Sequence, residues 1–208
     1  MGIFAGMQDA LHSVSQGLLI PTIAILLLLL IGTVVCIGSI VAESITERRH
    51  LKEHVPKLVE SMHGKSKEEM EHLLTESGLL RRQKKTLIEL LQYQELPEEE
   101  RRAIAKKLIA VSEDWYERRV GITEMISRIG PMFGLMGTLI PLGPGIIALG
   151  QGDTVTLSTS LLVAFDTTIA GLISAVICFV ITKIRRRWYE NDMISMESMM
   201  DCILEEVG

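Results

Sequence analysis

The chain has 208 residues, a net charge of −5 and an apolar fraction of 48%. That length fits one domain, and the acidic balance gives no reason to expect a nucleic-acid partner. Three cysteines do not make a disulfide framework, so we interpret them as small buried apolar residues. No nucleophile elbow, phosphate loop, zinc cluster or dinucleotide motif is present, so we expect neither enzymatic activity nor a cofactor or bound metal.

Charged residues are missing from three long stretches. Residues 10–42 and 129–152 contain no Asp, Glu, Lys or Arg, and from 154 to 182 the only one is Asp166. Each stretch exceeds the ~20 residues that a helix needs to cross a bilayer, and none alternates as a strand does. The sequence therefore predicts an all-α membrane protein whose three transmembrane helices occupy residues 18–42, 129–150 and 158–182.

The positions of Lys and Arg predict the orientation. Seventeen of the 21 lie between residues 48 and 128, and the other four lie between 183 and 187. Positive residues stay on the cytoplasmic side, so we expect the N-terminus to lie outside the membrane and the C-terminus inside. The first apolar run is too long for a cleaved signal peptide and has no basic segment before it. The expected regions outside the spans are an outer N-terminus at 1–17, a cytoplasmic helical region at 43–128, an outer loop at 151–157 and a cytoplasmic helix at 183–208.

The cytoplasmic region reads as a series of helices. His50 and His54 have metal-capable spacing, but no third ligand is near them, and a solvated helix face is the favoured interpretation. Ser66 and Glu69 fit a capping box. The next helix has an apolar side, formed by Leu80, Leu87, Leu90 and Leu91.

A further helix is predicted to begin at the Pro97 turn, where three glutamates follow and favour a helix N-terminus. No strong break separates this helix from the second span, so we expect one long helix that projects into the cytoplasm. The third span is expected to continue in the same way through an apolar stripe that runs from Ile184 to Ile203.

Small residues line one side of the second and third spans. In the second span they are Gly134, Gly137 and Pro141, and Thr138 lies one turn from Gly134. In the third span they are Ala164 and Gly171, with Thr168 on the same stripe. Two interpretations stay open: the hydroxyls bond to their own helix carbonyls, or the two faces form a polar path for ions.

Asp166 is a mid-span carboxylate, which costs ~2.5–3.5 kcal/mol on insertion scales, so it should face protein or water. Two residues turn a helix by about 200°, which places Asp166 away from the face of Thr168. It either lies in or beside an ion path, or it fixes helix packing through a hydrogen bond.

The sequence GPMFGLMGTL, which contains Pro131, Gly134, Gly137 and Thr138, and the sequence TTIAGLISA, which contains Thr168 and Gly171, resemble the second and third spans of the MotA/TolQ/ExbB family. The order of one span, a large cytoplasmic helical region and two further spans is similar to the ExbB/TolQ branch. The architectural likeness covers most of the chain, and the motifs cover about 50 residues.

The resemblance implies an inner-membrane homopentamer around a central pore lined by Thr138 and Thr168. It also implies a partner, a dimer of a single-span ExbD-, TolR- or MotB-like protein inside the pore, whose aspartates receive H⁺ or Na⁺ and drive motor work. Two departures stand out: Val163 occupies the position of the family's third-span glutamate, and Pro141 stands where glycine is common. The alternatives are a MotA-like flagellar stator subunit, which normally has four spans, and a non-conducting membrane scaffold or sensor.

Overall fold

The computed structural model describes residues 2–46 and 55–206, and all regular secondary structure in these ranges is helical. Helices α1 and α2 occupy Gly2–Gly17 and Leu19–Thr46. Three shorter helices follow: α3 at Val55–Met62, α4 at Lys67–Glu76 and α5 at Arg81–Leu91. Two helices of 53 residues complete the chain, α6 at Glu98–Gly150 and α7 at Thr154–Glu206.

Three stretches of helix are long and apolar enough to cross a membrane, Ser13–Thr46, Glu98–Gly150 and Thr154–Glu206. They confirm the predicted all-α class and agree in number with the three predicted spans within the described residues. Helix α6 runs without interruption from its acidic first turn through three internal prolines. Its continuity agrees with the absence of a strong break in the sequence.

One helix start differs from the sequence expectation, and one helix lies where no secondary structure was predicted. Residues 2–17, expected to be an outer segment, form α1. Most of the loop expected at 151–157 is helical, because Asp153 caps α7. Its Oδ1 accepts 3.1 Å hydrogen bonds from the N–H groups of Val155 and Thr156, which begin the helix. His50 and His54 lie outside the described residues.

The chain divides into two compact units. The first contains residues 1–38 and 121–182, which include most of the apolar stretches. The second contains residues 39–120 and 183–208.

A methionine- and leucine-rich core stabilises the second unit. Three leucines of the predicted apolar side of α5, Leu87, Leu90 and Leu91, are buried there together with Met196 and Met199 of α7, whereas Leu80 is buried outside this core. Glu69 accepts a 3.0 Å hydrogen bond from the Ser66 backbone, which is one half of the predicted capping box. At the other end of the expected stripe on α7, Ile203 is buried, whereas Ile184 is 38% exposed.

Candidate functional site

Helices α6 and α7 approach each other closely along their small residues in the first unit. A Cβ atom built on Gly130 would lie 2.7 Å from the carbonyl oxygen of Gly171, and one built on Gly137 would lie 2.5 Å from Thr167 Cβ. Gly145 faces Ser160 in the same way, at 3.1 Å. Because the paired residue numbers rise on α6 as they fall on α7, the two helices are antiparallel. Glycine is required at residue 130 because the Gly171 backbone occupies the space of a side chain, and at residue 137 because the Thr167 side chain does.

All five of the small residues predicted on these faces are buried in this contact region, namely Gly134, Gly137, Pro141, Ala164 and Gly171. Gly134 faces the backbone of Thr167 and Thr168 at 3.4–3.5 Å. The burial of these five residues is explained by the close packing of α6 against α7 within one chain. A role for the same residues in a pore stays a prediction.

Thr167 was missed by the sequence interpretation, which placed Thr168 on the small-residue stripe. It is 7% exposed, and its hydroxyl donates to the carbonyls of Val163 and Ala164 at 2.9 and 3.0 Å. The overlooked signal is the alternating spacing of four and three residues through Ser160, Ala164, Thr167, Gly171, Ser174 and Cys178. Such spacing marks a helix seam, and Thr167 lies on it.

The predicted hydroxyls of Thr138 and Thr168 lie beside this seam and are half-buried. Thr138 donates to the Leu135 carbonyl at 2.7 Å, and Thr168 donates to the Ala164 carbonyl at 3.1 Å. A hydroxyl has one proton and two acceptor lone pairs, so each oxygen can still accept a hydrogen bond. The two groups can therefore pass or hold a proton-carrying species without a fixed charge.

Helix α2 shows which side of the α6–α7 pair these hydroxyls occupy. It meets α6 where a Cβ on Gly32 would lie 3.4 Å from Ile126, and it meets α7 where Thr33 Oγ1 lies 3.6 Å from Cys178 Sγ. At 100° per residue, Thr138 lies about 120° around α6 from Ile126, and Thr168 lies about 80° around α7 from Cys178. In both helices the seam glycines fall between the two positions. Thr138 and Thr168 thus lie on the same side of the α6–α7 seam, across it from the α2 contacts.

Asp166 lies on another face of α7 and is exposed on the single chain. Its neighbours on this face include Leu162, Phe165 and Ile169, which are 61%, 62% and 55% exposed. Since Gly137 lies opposite Thr167 on antiparallel helices, Asp166 and Thr138 are at nearly the same level. A carboxylate in the middle of an apolar membrane-spanning face needs a protein or water neighbour, because lipid supplies no hydrogen bonds.

These features define a helical membrane protein whose second and third spans pack tightly and present two hydroxyls on one side. The MotA/TolQ/ExbB proton channel family matches residues 38–198, which is more than half of the chain. The protein belongs to this family, and the resemblance seen in the span motifs is confirmed. No curated protein matches the sequence. The family assigns the chain to the membrane-embedded proton-channel subunits that work with partner proteins.

Proposed function

We propose that the chain is the channel-forming subunit of an ExbB/TolQ-type motor that uses an ion gradient, most simply of protons, to drive transport or mechanical work. Five copies surround a central pore, and a dimer of a single-span ExbD- or TolR-like protein occupies it. Three candidate spans in the described residues support this branch over a MotA-like stator, which normally has four. The transported ion is H⁺ or Na⁺.

The observation that carries the proposal is the shared side of Thr138 and Thr168. In a ring of copies, this side faces the pore, and α2 lies towards the lipid. The exposed apolar residues of α2 suit that position, among them Leu27, Leu28 and Ile31, which are 56%, 66% and 62% exposed. Ten hydroxyls in two spans would then give a polar path without the desolvation cost of a fixed charge.

In the proposed ring, Asp166 lies at a different position from the two threonines. It points away from α6 of its own chain, so in a ring it lies against the neighbouring subunit. There it acts on ion movement through its charge, or it braces the subunits through a hydrogen bond. It does not occupy the position of the family's glutamate, where this chain has Val163.

One observation favours a different function, a non-conducting scaffold. Both pore hydroxyls already donate to their own helices, as hydroxyls do when they only fill space between packed helices. In a scaffold the two threonines would be buried between subunits. In a channel they would be reached by water.

The test combines subunit counting with water accessibility. Thr138→Cys and Thr168→Cys are made in a chain whose native cysteines, Cys36, Cys178 and Cys202, are replaced by alanine. Native mass spectrometry of the detergent-purified protein should give five copies. A small water-soluble thiol reagent should modify both cysteines, whereas a control cysteine at Thr167, buried in the α6–α7 seam, should react far more slowly. A monomer or dimer, or equal protection at all three positions, would overturn the proposal.

A further inference from the structure

A cluster of charged side chains lies in the second unit, apart from the hydroxyl face of the spans. Arg185 of α7 and Glu43 of α2 are both buried, and Arg185 Nε lies 3.4 Å from Glu43 Oε2. Arg119 of α6 approaches the same oxygen at 3.9 Å. Arg185 also donates to Ser39 Oγ at 2.5 Å. Buried charges of this kind are costly unless their hydrogen bonds are made, so the remaining polar atoms need an explanation.

Aromatic rings form one side of this cluster. The guanidinium groups of Arg82 and Arg119 lie 4.3 and 4.4 Å from the Trp115 ring centre. Tyr116 and Tyr189 stack next to it, with ring centres 4.3 Å apart. Cation–π contacts hold the two guanidiniums in fixed positions although they repel each other. The cluster is therefore a built arrangement of positive groups.

A cavity of about 150 Å³ opens among these residues, lined by Glu43, Arg81, Arg82, Trp115, Tyr189 and Asp192 among others. Four buried atoms of the cluster make no hydrogen bond of ordinary geometry: Glu43 Oε2, Arg82 Nε, Arg185 Nε and the Tyr189 hydroxyl. Glu43 Oε2 and Arg185 Nε still form the 3.4 Å ion pair with each other. The remaining two, Arg82 Nε and the Tyr189 hydroxyl beside Glu43, can each donate a hydrogen bond, and buried donors are normally paired.

We propose that this cavity binds a phosphate group. The cluster holds four guanidiniums, on Arg81, Arg82, Arg119 and Arg185, against the two carboxylates of Glu43 and Asp192. Four minus two leaves an excess of two positive charges. The two exposed arginines, Arg81 and Arg119, carry this excess, because Arg82 and Arg185 are matched by the two buried carboxylates. An anion with several acceptor oxygens would balance it. The volume holds roughly five waters at ~30 Å³ each, which is also enough for one tetrahedral phosphate group.

Phosphate fits the donors better than a carboxylate or a cation does. Guanidinium groups favour phosphate because their planar N–H groups match its oxygens. Burial and the neighbouring Glu43 raise the pKa of Tyr189 to about 12, so its hydroxyl stays protonated and can donate at neutral pH. A cation would meet the unpaired donors of Arg82 and Tyr189 and would be repelled by the guanidinium groups. Glu43 is compatible with a bound anion because Arg185 and Arg119 lie beside its carboxylate.

The phosphate has two possible sources. Ser39, Glu43 and Arg185 border the ends of the first and third predicted spans, where lipid headgroups would lie on the cytoplasmic side, so an anionic phospholipid is one source. Soluble phosphate from the cytoplasm is the other. The two share the same recognition chemistry and differ in whether an acyl chain comes with it.

The experiment uses the full chain in detergent with the substitution Trp188→Phe. Trp115, which lies in the cavity wall, is then the only tryptophan in the chain. Inorganic phosphate is titrated while Trp115 emission is followed, with potassium chloride of equal ionic strength as the blank. Phosphatidylglycerol is added in parallel and retained lipid per subunit is counted by native mass spectrometry. Arg82→Gln and Tyr189→Phe remove donors at the cavity. Arg118→Gln on α6, 78% exposed and paired with Asp114, is the matched control.

At least one probe should bind, and Arg82→Gln should weaken that binding by about tenfold or more, as the loss of a charged hydrogen bond implies. Tyr189→Phe should weaken it less, and Arg118→Gln should leave it unchanged. Circular dichroism confirms that each variant is folded. Lipid retention without a phosphate response assigns the site to a headgroup, and a response to both assigns it to phosphate in general. No response to either probe, or equal binding by Arg82→Gln and the control, would mean that the cavity holds only water and would overturn the proposal.

Discussion

Gly137 of α6 lies so close to Thr167 of α7 that a Cβ built on the glycine would fall 2.5 Å from the threonine Cβ and 2.6 Å from its Oγ1. The contact belongs to a single chain. Gly130 and Gly171 continue the same seam, because a Cβ built on either glycine would meet the backbone carbonyl oxygen of the other. The pairing fixes α6 against α7 and so fixes the side on which Thr138 and Thr168 are presented.

Gly137→Leu should lower the thermal stability of the purified protein and reduce the yield of the assembly, because a side chain at this position has no space. Gly134→Leu should act in the same direction. Gly143→Leu is the matched control, since nothing lies within 4 Å of a Cβ at Gly143 in the same helix. The melting temperature in detergent and the mass of the assembly are measured for each variant. Equal behaviour of Gly137→Leu and Gly143→Leu would contradict the seam.

The topology gives a second prediction, which rests on the one-sided distribution of Lys and Arg. A cysteine at Gln151 or Gly152, in the turn between α6 and α7, should react with a membrane-impermeant reagent in intact cells. A cysteine at Ser66 or Glu95 should react only after the membrane is opened. Labelling of a cysteine at Ser66 from outside would contradict the predicted orientation, in which the second unit is cytoplasmic.

The sequence predicted the spans because missing charges and the length of a run are local properties that lipid alone demands. Packing partners were less predictable. The seam position of Thr167 depends on which side of α7 meets α6, and Thr168 fitted a stripe almost as well. The Glu43–Arg185 pair joins residues 142 positions apart in the sequence, and nothing local to either residue indicates it. Helix α7 begins at Thr154, before the predicted start at residue 158, because the Asp153 side chain caps it. A hydropathy pattern does not detect such a hydrogen bond.

Asp166→Asn should preserve the assembly, because the amide can still form a hydrogen bond with a neighbouring subunit. It should lower the ion-driven activity and change its pH dependence, since the carboxyl group proposed to act beside the ion path is lost. Activity is measured from pH 5.5 to 8.5 in vesicles that contain a single-span ExbD/TolR-like partner, with a substitution at an exposed residue near the end of α7, Asp201→Asn, as control. An unchanged activity and pH profile would assign Asp166 to packing alone.

The end of α7 provides a pH-dependent contact. His63 hydrogen-bonds to Glu206, and the Gly64 N–H donates to the other Glu206 oxygen at 2.7 Å. The bond from His63 first, and that from Gly64 second, lower the pKa of Glu206 below its usual 4.5. A carboxylate with a lowered folded-state pKa stabilises the fold above its unfolded pKa, and the stabilisation is lost as pH falls through the folded value.

The melting temperature should therefore fall more steeply below about pH 4.5 in the native chain than in Glu206→Gln, which lacks the titrating group. At pH 7 the native chain should be the more stable of the two. Glu205→Gln is the control, because this neighbouring residue is exposed and no such bond is seen for it. If the melting temperatures of the native chain and of the two variants fall in parallel on acidification, the Glu206 contact does not contribute to the pH dependence of stability.

The central claim is that the hydroxyl of Thr168 belongs to the ion path, and its most direct test is proton flux through vesicles that hold the chain and its single-span partner. Thr168→Val removes the hydroxyl at nearly constant volume, and Thr167→Val makes the same change one residue away in the seam. Native mass spectrometry first establishes that both variants keep the subunit number of the native assembly. The account predicts that flux and partner-dependent work are abolished in Thr168→Val and retained in Thr167→Val. Full flux in Thr168→Val would contradict it.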